Sequence, residues 1–356
     1  MGTARPATSL VDAIERCCAA HVDERPMRIA LVDELRGVMP FGPYVWAVTD
    51  PVTEVGISPL ADVPWLMSEL PRLIRARYLT SANRWSSLGS EARSLHRVTD
   101  GDLDQSRFAR EVRSRVDLGD IASVCFRDRH GFWGWLELWR LVDEAPFSDA
   151  DLDLLTAVAP VITTALRRAH ATTFELPAVV PDRPGPVVLM LSAELDVIAQ
   201  TPSTDEYLRA LLPPDAERRP VPAGAYNVAA QLLAVEAGID DRPASSRVRL
   251  RDGVWLTFRA ARVEPDARSD ADEEAGIAVS IEPTSPAERL DLFARASGLS
   301  PRETELLGLL ADGADTRTVA GALFVSEHTV QDHLKSIFEK TGARNRRTLL
   351  VRVSGR

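Results

Sequence analysis

Apolar side chains return at steps of three and four residues along several stretches near the end of this chain, the spacing of helices with one buried face. Leu306, Leu307 and Leu310 form the first such face, Val319, Ala320 and Leu323 the second, and Val330, Leu334, Ile337 and Phe338 the third. Each stretch has its own start signal. Ser300-Pro301-Arg302-Glu303 has the form of a capping box, in which Ser caps, Pro occupies the first turn and Glu reaches back to the cap amide. Thr316 is expected to cap the second helix, Ser326 the third, and Asn345 a fourth that carries Leu349, Leu350 and Val353. Gly313 and Gly342 close the first and third, since glycine tolerates the left-handed conformation at helix ends. Phe324-Val325 leaves room only for a tight connection. The complement of the third apolar face, namely His328, Gln331, Asp332, Lys335 and Glu339, is predicted to project into solvent.

Upstream the period changes. Residues 121–126 and 133–141 are runs rich in apolar and aromatic side chains, which predicts strands, with the turn Arg127-Asp128-Arg129-His130-Gly131 between them. Gly131 is there free to take a positive φ. Ser148 is expected to cap a long helix with an apolar stripe of Leu152, Leu155, Val158, Ile162 and Leu166. A Pro-rich break spans 177–186. Beyond it strands are predicted over 187–191 and 195–200, helices over 203–212 and 225–237, and strands over 248–250, 254–263 and 277–281. The acidic stretch 266–274 has no apolar periodicity and is expected to be a solvated loop. A connecting helix follows over 285–297. The succession predicts an α+β multidomain chain: a first unit over 1–171, a linker over 172–186, a second unit over 187–284, the connecting helix, and an all-α four-helix domain over 298–356.

Composition narrows the function classes. The chain has 356 residues, 45% of them hydrophobic and 26% charged, as in ordinary globular proteins. No apolar run approaches the roughly 18–20 residues of a membrane span, and the N-terminus lacks the basic and apolar regions of a signal peptide. Cys17, Cys18 and Cys125 make an odd count without a CxxC spacing, which fits a reducing cytoplasm and argues against a disulfide framework or a structural zinc. The net charge of −10 reads at first against nucleic acid. Its distribution does not: from Ser326 onward there are seven Lys and Arg against three Asp and Glu. The end of the chain is locally basic on an acidic body.

A capped helix with an exposed polar face is what enters a major groove. Gln331 suits adenine, Lys335 suits guanine, and Asp332 can accept from cytosine, while Arg346 and Arg347 on the fourth helix would lie near phosphates. Four segments carry a resemblance across residues 297–353: Leu299-Ser-Pro-Arg-Glu303, Ala311-Asp-Gly313, Ser326-Glu-His-Thr-Val330 followed by His333, and Lys340-Thr-Gly-Ala-Arg344. Together they resemble the LuxR-type helix-turn-helix. The resemblance implies that Gln331, Asp332 and Lys335 face the bases, and that Arg317, Thr329 and Lys340 approach phosphates beside the capping Ser326. Asp332 departs from the family pattern, because a carboxylate repels phosphate; it must read cytosine, pair with a neighbouring cation, or weaken binding. The implied partners are double-stranded DNA, a second copy of the chain in a homodimer, and RNA polymerase.

Residues 106–170 resemble the closing portion of a GAF domain through Phe126-Arg-Asp, Trp133-Gly-Trp-Leu-Glu-Leu138 and Phe147-Ser-Asp. Residues 187–283 resemble a PAS fold in their order of strands, helices and strands. Both folds imply a sensor with a pocket for an unidentified small molecule; no cofactor motif is evident. Six of the seven tryptophans (Trp46, Trp65, Trp85, Trp133, Trp135 and Trp139) lie in the first unit. Trp46, Trp133 and Trp135 are the candidates to line a pocket, against a plain core role, and Trp133 and Trp135 are expected on one strand face. Asp100, Asp102, Asp104 and Glu111 have the outline of a calcium loop, but Gln105 stands where the sharp turn needs Gly; Asp104 as a helix cap explains the acids better, and no metal is expected. No nucleophile elbow, phosphate-binding loop or kinase signature is present, which argues against an enzyme. The competing class is a ligand-binding or scaffolding protein whose helical end does not touch DNA.

Overall fold

The structure is a computed structural model that describes residues 7–63, 66–175, 187–211, 222–250, 253–263 and 276–355. The Pro-rich break, the acidic stretch and Trp65 fall outside them. The first unit opens with α1 (Ala7–Ala20) and α2 (Glu24–Arg36), then β1 (Tyr44–Thr49), β2 (Gly56–Asp62) and α3 (Leu66–Tyr78). It continues with β3 (Arg93–Ser94), α4 (Leu95–Val98), α5 (Arg107–Arg113), the hairpin β4 (Leu118–Asp128) and β5 (Gly131–Leu141), and α6 (Asp149–Thr172). The second unit holds β6 (Val187–Leu191), β7 (Val197–Gln200), α7 (Thr204–Leu211), α8 (Ala223–Glu236), β8 (Ser245–Arg249), β9 (Trp255–Arg262) and β10 (Ile277–Pro283). Helices α9 (Pro286–Ala296), α10 (Pro301–Ala311), α11 (Thr316–Ala322), α12 (Glu327–Thr341) and α13 (Arg346–Ser354) complete the chain.

Each unit contains one five-stranded sheet, ordered β2-β1-β5-β4-β3 in the first and β7-β6-β10-β9-β8 in the second. The pairings are antiparallel throughout. Numbered within its own unit, each sheet therefore has the same order. In the first unit, Leu10, Ile14, Met27 and Leu31 join the α6 stripe of Leu155, Val158 and Ile162 on one face of the sheet. On the other face α3 and α5 pack through Leu70, Tyr78, Phe108 and Val112. Helix α8 is buried nearly all round, as its Ala-rich sequence permits, and it reaches the first unit: Asn227 donates to the Gly56 carbonyl at 2.9 Å. Among the described residues no helix is long and apolar enough to cross a membrane.

The first unit, α9 and the terminal helices share one continuous apolar core, running from Leu155 and Ile162 through Phe174, Trp255 and Phe293 to Leu306, Val330 and Val353. Polar contacts reinforce the joints. Asp50, in the β1–β2 turn and fully buried, is bound through both carboxylate oxygens by Arg247 of β8 at 2.7 and 2.8 Å. The same guanidinium reaches Asp291 of α9 at 3.2 Å. Arg295 of α9 binds Asp291 at 2.9 Å and donates to the His130 carbonyl at the tip of the β4–β5 hairpin at 3.0 Å. Arg289, buried on α9, donates to the Val353 and Arg352 carbonyls at 2.9 and 3.1 Å, meeting acceptors that the end of α13 leaves open.

Several local expectations need correction. Trp133 and Trp135 lie on opposite faces of β5, because Phe126 pairs with Gly134 while Arg127 pairs with Phe132, leaving Trp133 as the extra residue of a bulge. A bulge adds one residue to the alternation and turns the next side chain to the other face. Trp46 and Trp133 thus fill the core against α1 and α6, and Trp135 faces α3. Glycine is needed at 134 because a Cβ there would lie 2.4 Å from the Ala47 carbonyl oxygen on β1. Gly131 is absent from the positive-φ positions; its need is likewise spatial, with Pro51 2.6 Å from where a Cβ would stand. Asp104 is not the cap of α5. Ser106 caps it by accepting from the Ala109 amide, and Asp104 pairs with Arg113. Asp315, not Thr316, caps α11, accepting from the Thr318 amide at 2.7 Å. The strand expected from residue 195 begins at Val197, since Leu195 takes φ +70° in the preceding turn.

Candidate nucleic-acid interface

Helices α10 to α13 enclose a small core of Leu306, Leu307, Leu310, Val319, Leu323, Val330, Leu334, Ile337, Leu349 and Val353. The predicted caps place them. Ser300 accepts from the Glu303 amide, and Glu303 accepts from the Ser300 amide at 2.6 Å. Ser326 accepts from the Thr329 amide at 3.1 Å, and Asn345 from the Thr348 amide at 2.9 Å. Gly313 and Gly342 take φ +91° and +64° at the ends of α10 and α12.

With Val330, Leu334 and Ile337 turned inward, the opposite face of α12 is open. His328, Gln331, Asp332, Lys335 and Glu339 are exposed, as are Ser326 at the cap and Arg317 on the neighbouring α11. The Thr329 hydroxyl is half-buried and shares a 2.9 Å hydrogen bond with Ser326. Asp332 has an imidazole for a neighbour, the His328 Nε2 standing 3.8 Å away one turn earlier. Arg347 is exposed on α13.

Two of the expected phosphate contacts are engaged within the domain. The Lys340 ammonium binds both Glu303 oxygens at 2.9 and 2.7 Å, and Ser336 donates to the same carboxylate at 2.7 Å. Arg346 donates to the Ala314 carbonyl at 2.5 Å, tying α13 to the α10–α11 turn. Glu303 was legible as a helix cap. Its second role, anchoring α12 to α10, joins residues 37 apart and has no local signal. Burial alone would raise the Glu303 carboxyl; the Lys340 ammonium, the Ser300 amide and the Ser336 hydroxyl outweigh it and hold the pKa down to about 2. A depressed folded pKa contributes stability above the unfolded value of about 4.3, lost as pH falls toward the folded one. Glu303→Gln is therefore expected to cost roughly 1–2 kcal/mol at pH 7, limited because Lys340 is part-exposed and screened, and to flatten the acid limb of the stability curve. Urea unfolding followed from pH 7 down to 2 checks this; an unchanged acid limb would show that the carboxylate contributes nothing.

The turn before α12 contains a conformational cost. Phe324 has φ +55° and is 95% exposed, so a bulky residue adopts the left-handed region without burying its ring. Phe324→Gly is expected to raise stability by about 1 kcal/mol in a thermal melt. A lower melting temperature would mean that the ring holds the turn.

The model of the bacterial regulatory proteins of the luxR family matches residues 297–353. The transcriptional regulatory protein DesR of Bacillus subtilis is 37% identical over 62 residues, covering 17% of this chain and 31% of that protein. The chain thus spans about a third of the length of this relative. The spore germination protein GerE of the same organism is 36% identical over 53 residues, 15% of this chain and 72% of GerE. The crystal structure of Escherichia coli SdiA aligns over 98% of both chains at 12% identity, with a TM-score of 0.35. Through the domain of residues 297–353, the chain belongs to the LuxR family of bacterial regulatory proteins.

Proposed function

We propose that this protein is a sequence-specific DNA-binding transcriptional regulator that reads the major groove with α12. The observation that carries the proposal is the exposed polar face of α12, with Gln331, Asp332 and Lys335 held outward by the buried Val330, Leu334 and Ile337. Gln331 and Lys335 have the donors for adenine and guanine edges, and Asp332 the acceptor for cytosine. Ser326 and Thr329 at the start of α12, Arg317 on α11 and Arg347 on α13 are proposed to meet the phosphates; Lys340 and Arg346 would contribute by leaving or sharing their present partners. One such helix covers little of a duplex, so two copies on paired half-sites are the arrangement this geometry favours.

The units over 1–171 and 187–284, joined by the linker 172–186, are on this reading sensors of GAF-like and PAS-like kind. Their common strand order supports treating them as related folds. In the first, a cavity of about 90 Å³ lies between the sheet and α3, lined by Tyr78, Trp135 and the buried ion pair of Arg77 and Glu137. Trp135 is thus the one of the three candidate pocket tryptophans that borders this cavity. The connecting helix over 285–297 would carry the state of these units to the DNA reader, since α9 touches both units and α13.

Salt dependence is the test. Anisotropy titrations of the full chain with duplexes selected from a random pool are expected to weaken as salt rises, with a logarithmic slope of about −3 per copy if each neutralises about three phosphates. Absence of affinity at low ionic strength would transfer support to a scaffolding role for the helical end.

A further inference from the structure

A larger opening lies between the two units. Among the described residues, the start of α2, the end of α6, α8 and strands β8 and β9 enclose a cleft of about 400 Å³. That volume is in the range of small-molecule sites, whereas the cavity over Trp135 is nearly filled. The cleft has apolar walls, including Leu166, Val248 and Phe258, with Arg249 also among its lining residues, and charged residues Asp23, Glu24 and Arg25 at the start of α2.

Two polar rings stand in its wall. Trp255 is 4% exposed and His170 9%, their centroids 5.4 Å apart. Both Trp255 Nε1 and His170 Nε2 are buried without a hydrogen-bond partner. A buried donor left unmet is costly, and such atoms are rarely abandoned without a reason. Burial also pushes the His170 pKa down to about 4, so the ring is neutral near pH 7 and brings no charge to the cleft. Neutral Nε2 donates or accepts according to its tautomer.

The same wall leads to the connecting helix. The Trp255 carbonyl accepts from Thr284, next to the α9 cap, at 2.9 Å. Its ring stacks on Phe174 at 5.1 Å, and Phe174 meets Phe293 of α9 edge-on at 5.4 Å. A molecule seated on Trp255 would lie two aromatic rings, Trp255 and Phe174, from Phe293 of α9.

We propose that this cleft between the units is a second ligand site, taking a flat, largely apolar molecule whose carbonyl accepts from Trp255 and faces His170. The ring stack supplies the apolar platform, and the volume fits a molecule of two or three fused rings.

The fluorescent ketone 6-propionyl-2-dimethylaminonaphthalene is a suitable probe, with 2-dimethylaminonaphthalene as its counterpart lacking the carbonyl. The full chain is expected to bind the ketone saturably with a blue-shifted emission. Trp255→Phe keeps the platform but removes the donor, and should weaken the ketone roughly 3–10-fold while leaving its counterpart unchanged. Thr172→Trp, which fills the cleft from α6, should weaken both probes more than tenfold, and Ala61→Phe, which fills the cavity over Trp135, should alter neither. Circular dichroism melts verify that each variant folds; if Thr172→Trp does not, the Trp255→Phe contrast decides. The proposal fails if the ketone does not saturate, if Trp255→Phe affects both probes alike or neither, or if Ala61→Phe abolishes binding. No DNA enters the measurement, so its outcome is separate from that of the DNA-reading proposal.

Discussion

Asp50→Ala is expected to lower the unfolding free energy by about 3–5 kcal/mol, the largest effect of any single substitution proposed for this chain. Asp50 is fully buried and Arg247 is 7% exposed, so removing the carboxylate leaves a guanidinium with little water to turn to. Its remaining side-chain partners are Asp291, at 3.2 Å and part-exposed, and the Glu288 carbonyl at 3.3 Å. The carboxylate also accepts from the Val52 and Thr53 amides at 2.9 and 3.2 Å, so the β1–β2 turn loses its internal support as well. Burial on its own would raise the Asp50 carboxyl, but the Arg247 guanidinium and those amides outweigh it and hold the group below the usual carboxylate range. The contribution is therefore present at neutral pH and disappears in acid, below the unfolded value of about 3.9. Urea unfolding at pH 7 measures the loss, and Arg247→Met added to Asp50→Ala should restore part of it by removing the stranded charge. A loss under about 1 kcal/mol would mean that the pair is not buried in solution and that the two units are not joined as described.

Replacing Gln331 and Lys335 together by alanine is expected to reduce binding to a selected operator by about 2–5 kcal/mol, bringing it close to affinity for a scrambled duplex. Each side chain is exposed and its Cβ lies on the face opposite Val330 and Leu334, so the fold should not change. Each base contact of this kind contributes about 1–3 kcal/mol of discrimination, and the two are one turn apart on a single helix, so their effects need not add. The positions proposed to face phosphates remain, so non-specific affinity and its salt dependence should fall far less. Anisotropy titrations of operator and scrambled duplex side by side test this. A double variant that keeps the operator preference would move sequence reading away from α12.

The terminal domain was legible almost in full because its signals are local. A cap, an amide three residues on, a period of 3.6 and a closing glycine all lie within one helix, so Ser300, Ser326, Asn345, Gly313 and Gly342 could be placed from the sequence. Where two caps competed side by side, as at Asp315 and Thr316, local chemistry did not choose between them. The β4–β5 hairpin and the α6 stripe were legible for the same reason. The opening helices α1 and α2 and strands β1 and β2 were not, since short apolar runs there serve buried strands and helices alike.

By itself, then, the sequence determined which face of α12 is apolar and which is polar, and with that the nature of the surface proposed to read DNA, because side-chain spacing along one helix is a property of consecutive residues. Only the tertiary structure decided that Trp133 and Trp135 part company at a bulge, and that Asp50 meets Arg247 from 197 residues away. It alone also brought His170 beside Trp255 at the edge of a cleft. Those outcomes depend on strand register and on packing between distant segments, whose energies are shared among many partners and leave no periodic trace in any single stretch of chain.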